Sequence, residues 1–370
     1  MVTKPTRVTQ VVFDLDGGGL ESIVGQMARR WAGTNVVLSI VTLSGRVGRV
    51  GVSIRDLVDQ FHVLRPLAGL SMVVPVGLAR AIRSTQPDVV HLHSGAWYKA
   101  ALAARLAGAR RVIYTEHGRE HNDPPLARWL DRRAAMLTDV VVTVSERLRG
   151  YMIGTVGIRA DRVITVPNGV DTGLFAPGPA SCALAAALGI GPGTLVVGSV
   201  GRLEAVKAYR RLLEAFAALC RIVPPVPAPV LLLAGDGSQR VTLSELASTL
   251  GIGERVRLPG WLDGPADVYR LLKVFVLTSL SEGMSLSLLE AMACGAVPVV
   301  TDVGSNAEVL GPELADYVVA ADAGADEIAV RIATASGPAW ECMSGVARRR
   351  VVECYGFEQM LSAYEKLYVA

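Results

Sequence analysis

Short apolar runs of strand length alternate with helical patterns along nearly all of the 370 residues, and that alternation restricts the chain to an α/β architecture. A first series predicts strands over 8–13, 36–42, 88–92, 111–115, 140–144 and 163–166. Helices over 25–31, 78–85, 97–106 and 126–137 fall between them, which argues a parallel sheet with helices on both faces. Pro167-Asn168-Gly169 breaks the series. Residues 171–193, rich in Pro, Gly and Ala, read as a linker with a short helix over 180–188. A second series follows, with strands over 195–200, 230–234, 256–258 and 274–277 and helices over 209–219, 243–250 and 265–272. A chain of this length exceeds what one core usually organises. The expected organisation is a first domain over 1–168, a second over 169–355, and a terminal segment over 356–370 carrying an amphipathic helix. Two facing doubly wound domains leave a cleft between the carboxyl ends of their strands, where such folds bind ligands.

Composition narrows the class. With 51% hydrophobic and 19% charged residues, a sizeable core is expected. Aromatics make up only 5%, which argues against a base-stacking nucleic-acid surface. The start, MVTKPTR, lacks the apolar stretch of a secretory leader, and apolar runs are strand-sized or broken by Gly and Pro. The five cysteines (Cys182, Cys220, Cys294, Cys342, Cys354) form no CxxC, as expected of reduced thiols in the cytoplasm. Charge is uneven: residues 1–168 hold 22 Lys/Arg against 13 Asp/Glu, a balance of +9, and the remainder holds 15 against 21, a balance of −6. A basic first half suits an anionic partner or a membrane surface.

The stretch Thr278–Val300, TSLSEGMSLSLLEAMACGAVPVV, concentrates the chemistry. A strand opens into a Ser/Gly loop holding Glu282, and the loop opens into a helix holding Glu290. Free N–H groups and the helix dipole make such a junction an anion site, and the carboxylates can accept hydrogen bonds from sugar or ribose hydroxyls. Arg202, in Val200-Gly201-Arg202-Leu203, ends another strand with Lys207 five residues on, so that two cations can neutralise a diphosphate. Gly17-Gly18-Gly19 follows the first strand and lets backbone approach an anionic group closely. Its spacing is not that of a dinucleotide fingerprint, since Ser22 stands where glycine is needed. No Walker A sequence occurs. His117, in Thr115-Glu116-His117-Gly118, sits just past a strand; His93 ends another, and His91 reads as core-facing. A rival reading starts from Asp14-Leu15-Asp16-Gly17, which resembles the nucleophile motif of Mg²⁺-dependent phosphatases, with Gly235-Asp236-Gly237 as its later metal motif. The second acidic residue expected there is missing.

Taken in order, DGGGLE (16–21), HLHS (91–94), TEHG (115–118), PNGVD (167–171), GRL with Lys207, AGDG (234–237), LPGW (258–261) and the Glu282–Glu290 block resemble glycosyltransferase family 4, whose members retain anomeric configuration on a two-domain GT-B fold. The resemblance spans nearly the whole chain, and EGMS with LLEAMACG is most similar to enzymes of exopolysaccharide and capsule assembly. It implies that Arg202 and Lys207 clamp the donor diphosphate, with Gly18 and Gly19 close to it from the other domain. Glu290 is implied to hold the ribose. Glu282, with the backbone of Gly283, Met284, Ser285 and Leu286, is implied to orient the transferred sugar, and His117 to contact that sugar at the reacting centre. The terminal helix is implied to cross back to the first domain. Neither metal nor cofactor is implied beyond a UDP- or GDP-linked donor. The expected activity is transfer of a hexose or N-acetylhexosamine to a glycan or lipid-linked acceptor, in the cytoplasm and peripherally at the inner membrane face. The alternatives are a catalytically silent nucleotide-sugar scaffold, a sugar-nucleotide 2-epimerase and the phosphatase. The chain departs from the family pattern at Ala208 and Ser305, where small or polar residues and glycine are common, and at Leu286, commonly polar.

Overall fold

A computed structural model describes residues 4–66, 75–95, 97–119, 123–222, 227–262 and 264–369. The chain divides into two compact units, Met1–Asn168 with Met360–Ala370, and Gly169–Gln359. Each is built on one parallel sheet.

The first unit carries β1 (Thr6–Val12), β2 (Val36–Thr42), β3 (Gln60–Val63), β4 (Val89–His93), β5 (Arg111–Glu116), β6 (Val140–Thr143) and β7 (Val163–Thr165). Their order across the sheet is β3-β2-β1-β4-β5-β6-β7. Parallel neighbours need crossovers, and the helical patterns between the apolar runs supply them. Central strands are sealed: every residue of β4 is buried, and β1 is buried from Val8 onward. Trp97 stacks on Tyr114 at 4.0 Å and gives its indole N–H to the Thr138 hydroxyl at 2.9 Å. The last turns of the terminal helix Phe357–Val369 belong to this unit. There Tyr364 and Tyr368 are buried, and Glu365 accepts from the Trp31 indole at 2.9 Å.

The second unit carries β8 (Val196–Val200), β9 (Val230–Ala234), β10 (Val256–Gly260), β11 (Val274–Leu277), β12 (Val297–Thr301) and β13 (Val318–Val319), ordered β10-β9-β8-β11-β12-β13. In both sheets the winding reverses beside the first strand, between β1 and β4 and between β8 and β11. Loops leaving the carboxyl ends at such a reversal diverge and leave room for a ligand.

Sequence periodicity located most of these elements and missed β3, β13 and the helices Arg49–Ile54, Glu146–Tyr151, Asn306–Leu310, Ala325–Ala335 and Trp340–Cys354. Strand β3 is half-exposed and reads QFHV, too polar for an apolar-run criterion. Strand β13 is two residues long, and the helices Ala325–Ala335 and Trp340–Cys354 follow it. No helix among the described residues is long and apolar enough to cross a membrane.

Candidate functional site

The reversal between β8 and β11 gathers the residues expected to hold a donor. After β8 the chain turns through Gly201-Arg202-Leu203 and lies against the loop after β9. The Gly201 N–H donates to the Ala234 carbonyl at 3.0 Å, and the Leu203 N–H to the Asp236 carbonyl at 2.9 Å. Glycine is required here. A Cβ on Gly235 (φ +139) would lie 1.9 Å from the Gly201 oxygen, and one on Gly237 2.6 Å from the Leu203 oxygen. Two backbones touch with no room for side chains. Glu204 joins the same two loops by accepting from the Ser238 N–H and hydroxyl at 3.1 and 2.7 Å. Leu203 is fully buried and anchors the turn, while Arg202 beside it is exposed.

Lys207 closes a short 3₁₀ turn, Ala205–Lys207. Its ammonium lies 2.6 Å from Glu282 Oε1, and the Ser279 hydroxyl donates to the same oxygen at 2.6 Å. The segment after β11 is pinned to this turn. The Thr278 hydroxyl donates to the Lys207 and Ala208 carbonyls at 3.2 and 3.1 Å, and the Leu280 N–H donates to the Val206 carbonyl at 2.8 Å. A third loop, after β12, holds Glu282 and Gly283 from the far side. Ser305 donates to the Gly283 carbonyl through both its N–H at 3.0 Å and its hydroxyl at 2.8 Å. A Cβ on Gly304 (φ +55) would meet the Glu282 backbone carbonyl oxygen at 2.3 Å. The Glu282 loop is thus gripped on two sides before any ligand arrives.

Ala208 adopts φ +48, one of two non-glycine residues at positive φ among those described. An L-side chain in the left-handed region costs about 1–2 kcal/mol, and such strain collects at sites that the surrounding structure over-determines. This is the physical reason a glycine suits the position after Lys207. Ala208→Gly is expected to relieve the strain, partly offset by unfolded-chain entropy, for a net gain of up to about 1 kcal/mol. Urea unfolding of both proteins checks this, and a lower midpoint for the glycine variant would show an unstrained turn.

The helix opened by this loop is Leu286–Ala293. Met284, Ser285 and Leu286 are buried, so the residue type at 286 is set by packing within the unit and a ligand would meet its backbone. First-turn N–H groups have no intrahelical carbonyl to meet. Glu290, one turn on, accepts from the buried Tyr269 hydroxyl at 2.6 Å. The residue keeps some solvent exposure, yet burial of its carboxyl raises its pKa from 4.5 to about 7, only partly offset by the Tyr269 bond. Tyr269, Ser279, Ser305 and Gly304 were not anticipated as supports. Tyr269 lies 21 residues from Glu290 on another helix, and no local pattern links them.

In the other unit, Gly18 is extended (φ 179) ahead of the helix Gly19–Trp31, and a Cβ there would meet the Glu21 carboxylate at 2.4 Å. At the ends of β4 and β5, three histidines stack in sequence, His91 on His93 at 4.2 Å and His93 on His117 at 5.2 Å. His91 faces the core as expected, bonded to the Tyr368 and Thr115 hydroxyls at 2.8 Å each. His93 Nδ1 and His117 Nε2 are 2.9 Å apart, while His93 Nε2 and His117 Nδ1 are buried without a partner among the described residues. Burial lowers His117 to about 4, so its ring is neutral at pH 7 and serves as a hydrogen-bonding group rather than a cation. The His117 backbone N–H donates to the Ser94 hydroxyl at 3.0 Å, which donates to Glu116 at 2.8 Å. Tyr114 and Arg119 also donate to Glu116, at 2.7 and 2.8 Å, so the carboxylate beside His117 is a structural hub.

The two motif halves of the phosphatase alternative fall in different units, Asp14 in one and Asp236 in the other. Asp236 Oδ1 accepts from the Gly237 N–H at 2.9 Å. Among the described residues no group of three His, Cys, Asp or Glu could hold a metal ion.

Comparison with known proteins accounts for both units. The family model for Glycosyltransferase Family 4 matches residues 17–174, and that for Glycosyl transferases group 1 matches residues 183–336. A D-inositol 3-phosphate glycosyltransferase of Actinosynnema mirum is 30% identical over 94% of this chain and 92% of its own length. The UDP-Gal:alpha-D-GlcNAc-diphosphoundecaprenol alpha-1,3-galactosyltransferase of Escherichia coli is 25% identical over 80% of this chain and 78% of its own. Among solved structures, Anabaena Alr3699/HepE in complex with UDP-glucose superposes with a TM-score of 0.81 at 19% identity, covering 98% of this chain and 100% of that one.

Proposed function

Because this chain belongs to the glycosyltransferase family 4 and group 1 enzymes, which take a sugar from a nucleotide sugar, we propose that it is a retaining hexosyl- or N-acetylhexosaminyltransferase of cell-surface polysaccharide assembly, acting on a glycan or lipid-linked acceptor. The observation that carries this reading is the Lys207–Glu282 pair just ahead of the helix Leu286–Ala293, with Arg202 exposed on the turn after β8 and the raised-pKa Glu290 within the helix. As the C1–O bond to the donor phosphate breaks, negative charge grows on the diphosphate. Arg202, Lys207 and the helix start supply fixed positive potential for it, which is preorganised electrostatic stabilisation. The acceptor oxygen bonds to C1 on the face the phosphate leaves, and its proton passes to the departing phosphate oxygen. Glu282 and the backbone of Gly283–Leu286 orient sugar hydroxyls, Glu290 accepts from the ribose, Gly18 and Gly19 admit the diphosphate, and His117 contacts the sugar as a neutral donor or acceptor. We assign the charge compensation to these side chains without metal, at the cytoplasmic face of a membrane. The E. coli relative, whose name includes a diphosphoundecaprenol-linked sugar, supports the lipid-linked acceptor.

The test is a melting panel with UDP, GDP and ADP and their sugars, followed by nucleotide-release assays with and without EDTA. A ligand bound at 100 times its Kd stabilises by about 2.7 kcal/mol. We expect one UDP- or GDP-sugar to raise the melting temperature and to turn over in EDTA. No shift and no release with any donor ends the reading. Donor binding without turnover across an acceptor panel would replace it with a silent scaffold.

A further inference from the structure

The helix Pro125–Met136 has an outer face that its own unit leaves uncovered. Ala134 and Ala135 are buried, and Asp131, the only acidic residue of the helix, turns inward to Arg119 at 2.5 Å. Outward, at helical spacing, stand Leu126, Trp129, Arg132, Arg133 and Met136. Leu126 and Met136 are each 67% exposed and Trp129 is 45% exposed. The Arg133 guanidinium lies 5.0 Å from the Trp129 ring centroid, so cation and indole share one surface. Among the described residues this face therefore shows three large apolar groups and two arginines, with no carboxylate. A face meant only for water would carry acidic residues and few large apolar ones. It also sits on the basic part of the chain, where residues 1–168 balance at +9.

We propose that this helix lies on an anionic lipid surface. Leu126 and Met136 enter the acyl boundary, Trp129 sits at headgroup depth, and Arg132 and Arg133 meet lipid phosphates. A protein partner would be served by the apolar groups alone; the positive charge around them, which no described carboxylate on this face offsets, selects an anionic bilayer. The proposal rests on the membrane-face reading above and names the face that makes the contact. It brings the enzyme to the surface where a lipid-linked acceptor is held.

The experiment is co-sedimentation of the full chain with vesicles of phosphatidylcholine alone or of equimolar phosphatidylglycerol and phosphatidylcholine. Wild type is expected to bind the anionic vesicles selectively and to be released by salt. The Leu126→Ala/Trp129→Ala/Met136→Ala variant is expected to lose about tenfold in bound fraction, and Arg133→Gln to bind anionic vesicles more weakly. Both should keep the wild-type melting temperature and its shift with donor, which separates this surface from the donor site. Failure of wild type to bind, or equal binding by the triple variant, overturns the proposal even where donor binding is intact. Self-association in solution, abolished by the same substitutions while vesicles are ignored, overturns it in favour of a protein partner.

Discussion

Lys207→Ala is expected to lower kcat/KM for the donor by about 10²–10³-fold and to lower the melting temperature as well. The two effects have different causes. In the unliganded protein the ammonium is held 2.6 Å from Glu282, whose side chain is 9% exposed. Removing the cation leaves that carboxylate with Ser279 as its remaining side-chain hydrogen-bond donor among the described residues, a loss on the order of 1–3 kcal/mol for a desolvated group. The catalytic loss comes from charge that grows on the diphosphate only as the sugar departs. The variant Lys207→Ala/Glu282→Gln separates them, because it removes both charges: its melting temperature should return toward wild type, and its turnover should not. Lys207→Arg should not rescue fully either, since a planar fork does not reproduce a compact ammonium in this close contact. Turnover of Lys207→Ala within threefold of wild type would remove the residue from the mechanism.

How much of this was readable beforehand follows from the range of the interactions. The alternation of apolar runs gave both sheets, because a strand buried on both faces must be continuously apolar and Val230–Ala234 and Val274–Leu277 are. Lys207 and Glu282 were legible as separate candidates from their positions at strand ends. Their contact was not, because it spans 75 residues and depends on the β8–β11 neighbourhood. Ala208 and Ser305 stood out as departures from a family pattern, yet only the backbone shows one to be strained and the other to grip Gly283. Leu286 stood out as a departure as well, and its 7% exposure shows a side chain packed within the unit. The Glu116 hub was hidden only in part: Tyr114 and Arg119 lie within three residues of it, whereas Ser94 comes from the end of another strand, as Tyr269 comes to Glu290 from another helix.

Glu290→Gln is expected to be more stable than wild type at pH 8 and to bind the donor about 10–100-fold more weakly. Burial raises the Glu290 carboxyl from 4.5 to about 7, so the fold favours its protonated form. The sign follows by linkage: the stability contributed by the protonated carboxyl is complete below about pH 4.5, the unfolded value, and is lost as pH rises through about 7. A glutamine imitates the protonated state at every pH. Its advantage over wild type should be small at pH 5, grow through pH 7 and then level off. Donor binding runs the other way. Ribose hydroxyls donate more strongly to a carboxylate than to a carboxylic acid, so wild-type affinity should rise as pH climbs through about 7, and the glutamine variant should stay flat. Tyr269→Phe removes the bond that partly holds the carboxyl down, and should move the wild-type affinity limb to higher pH. Melting curves and donor titrations from pH 5 to 9 on the three proteins decide it. Parallel stability profiles for wild type and Glu290→Gln would mean the carboxyl ionises freely in the folded protein. The cost of burying the Glu290 carboxylate would then be absent, and the rise in affinity would need another titrating group.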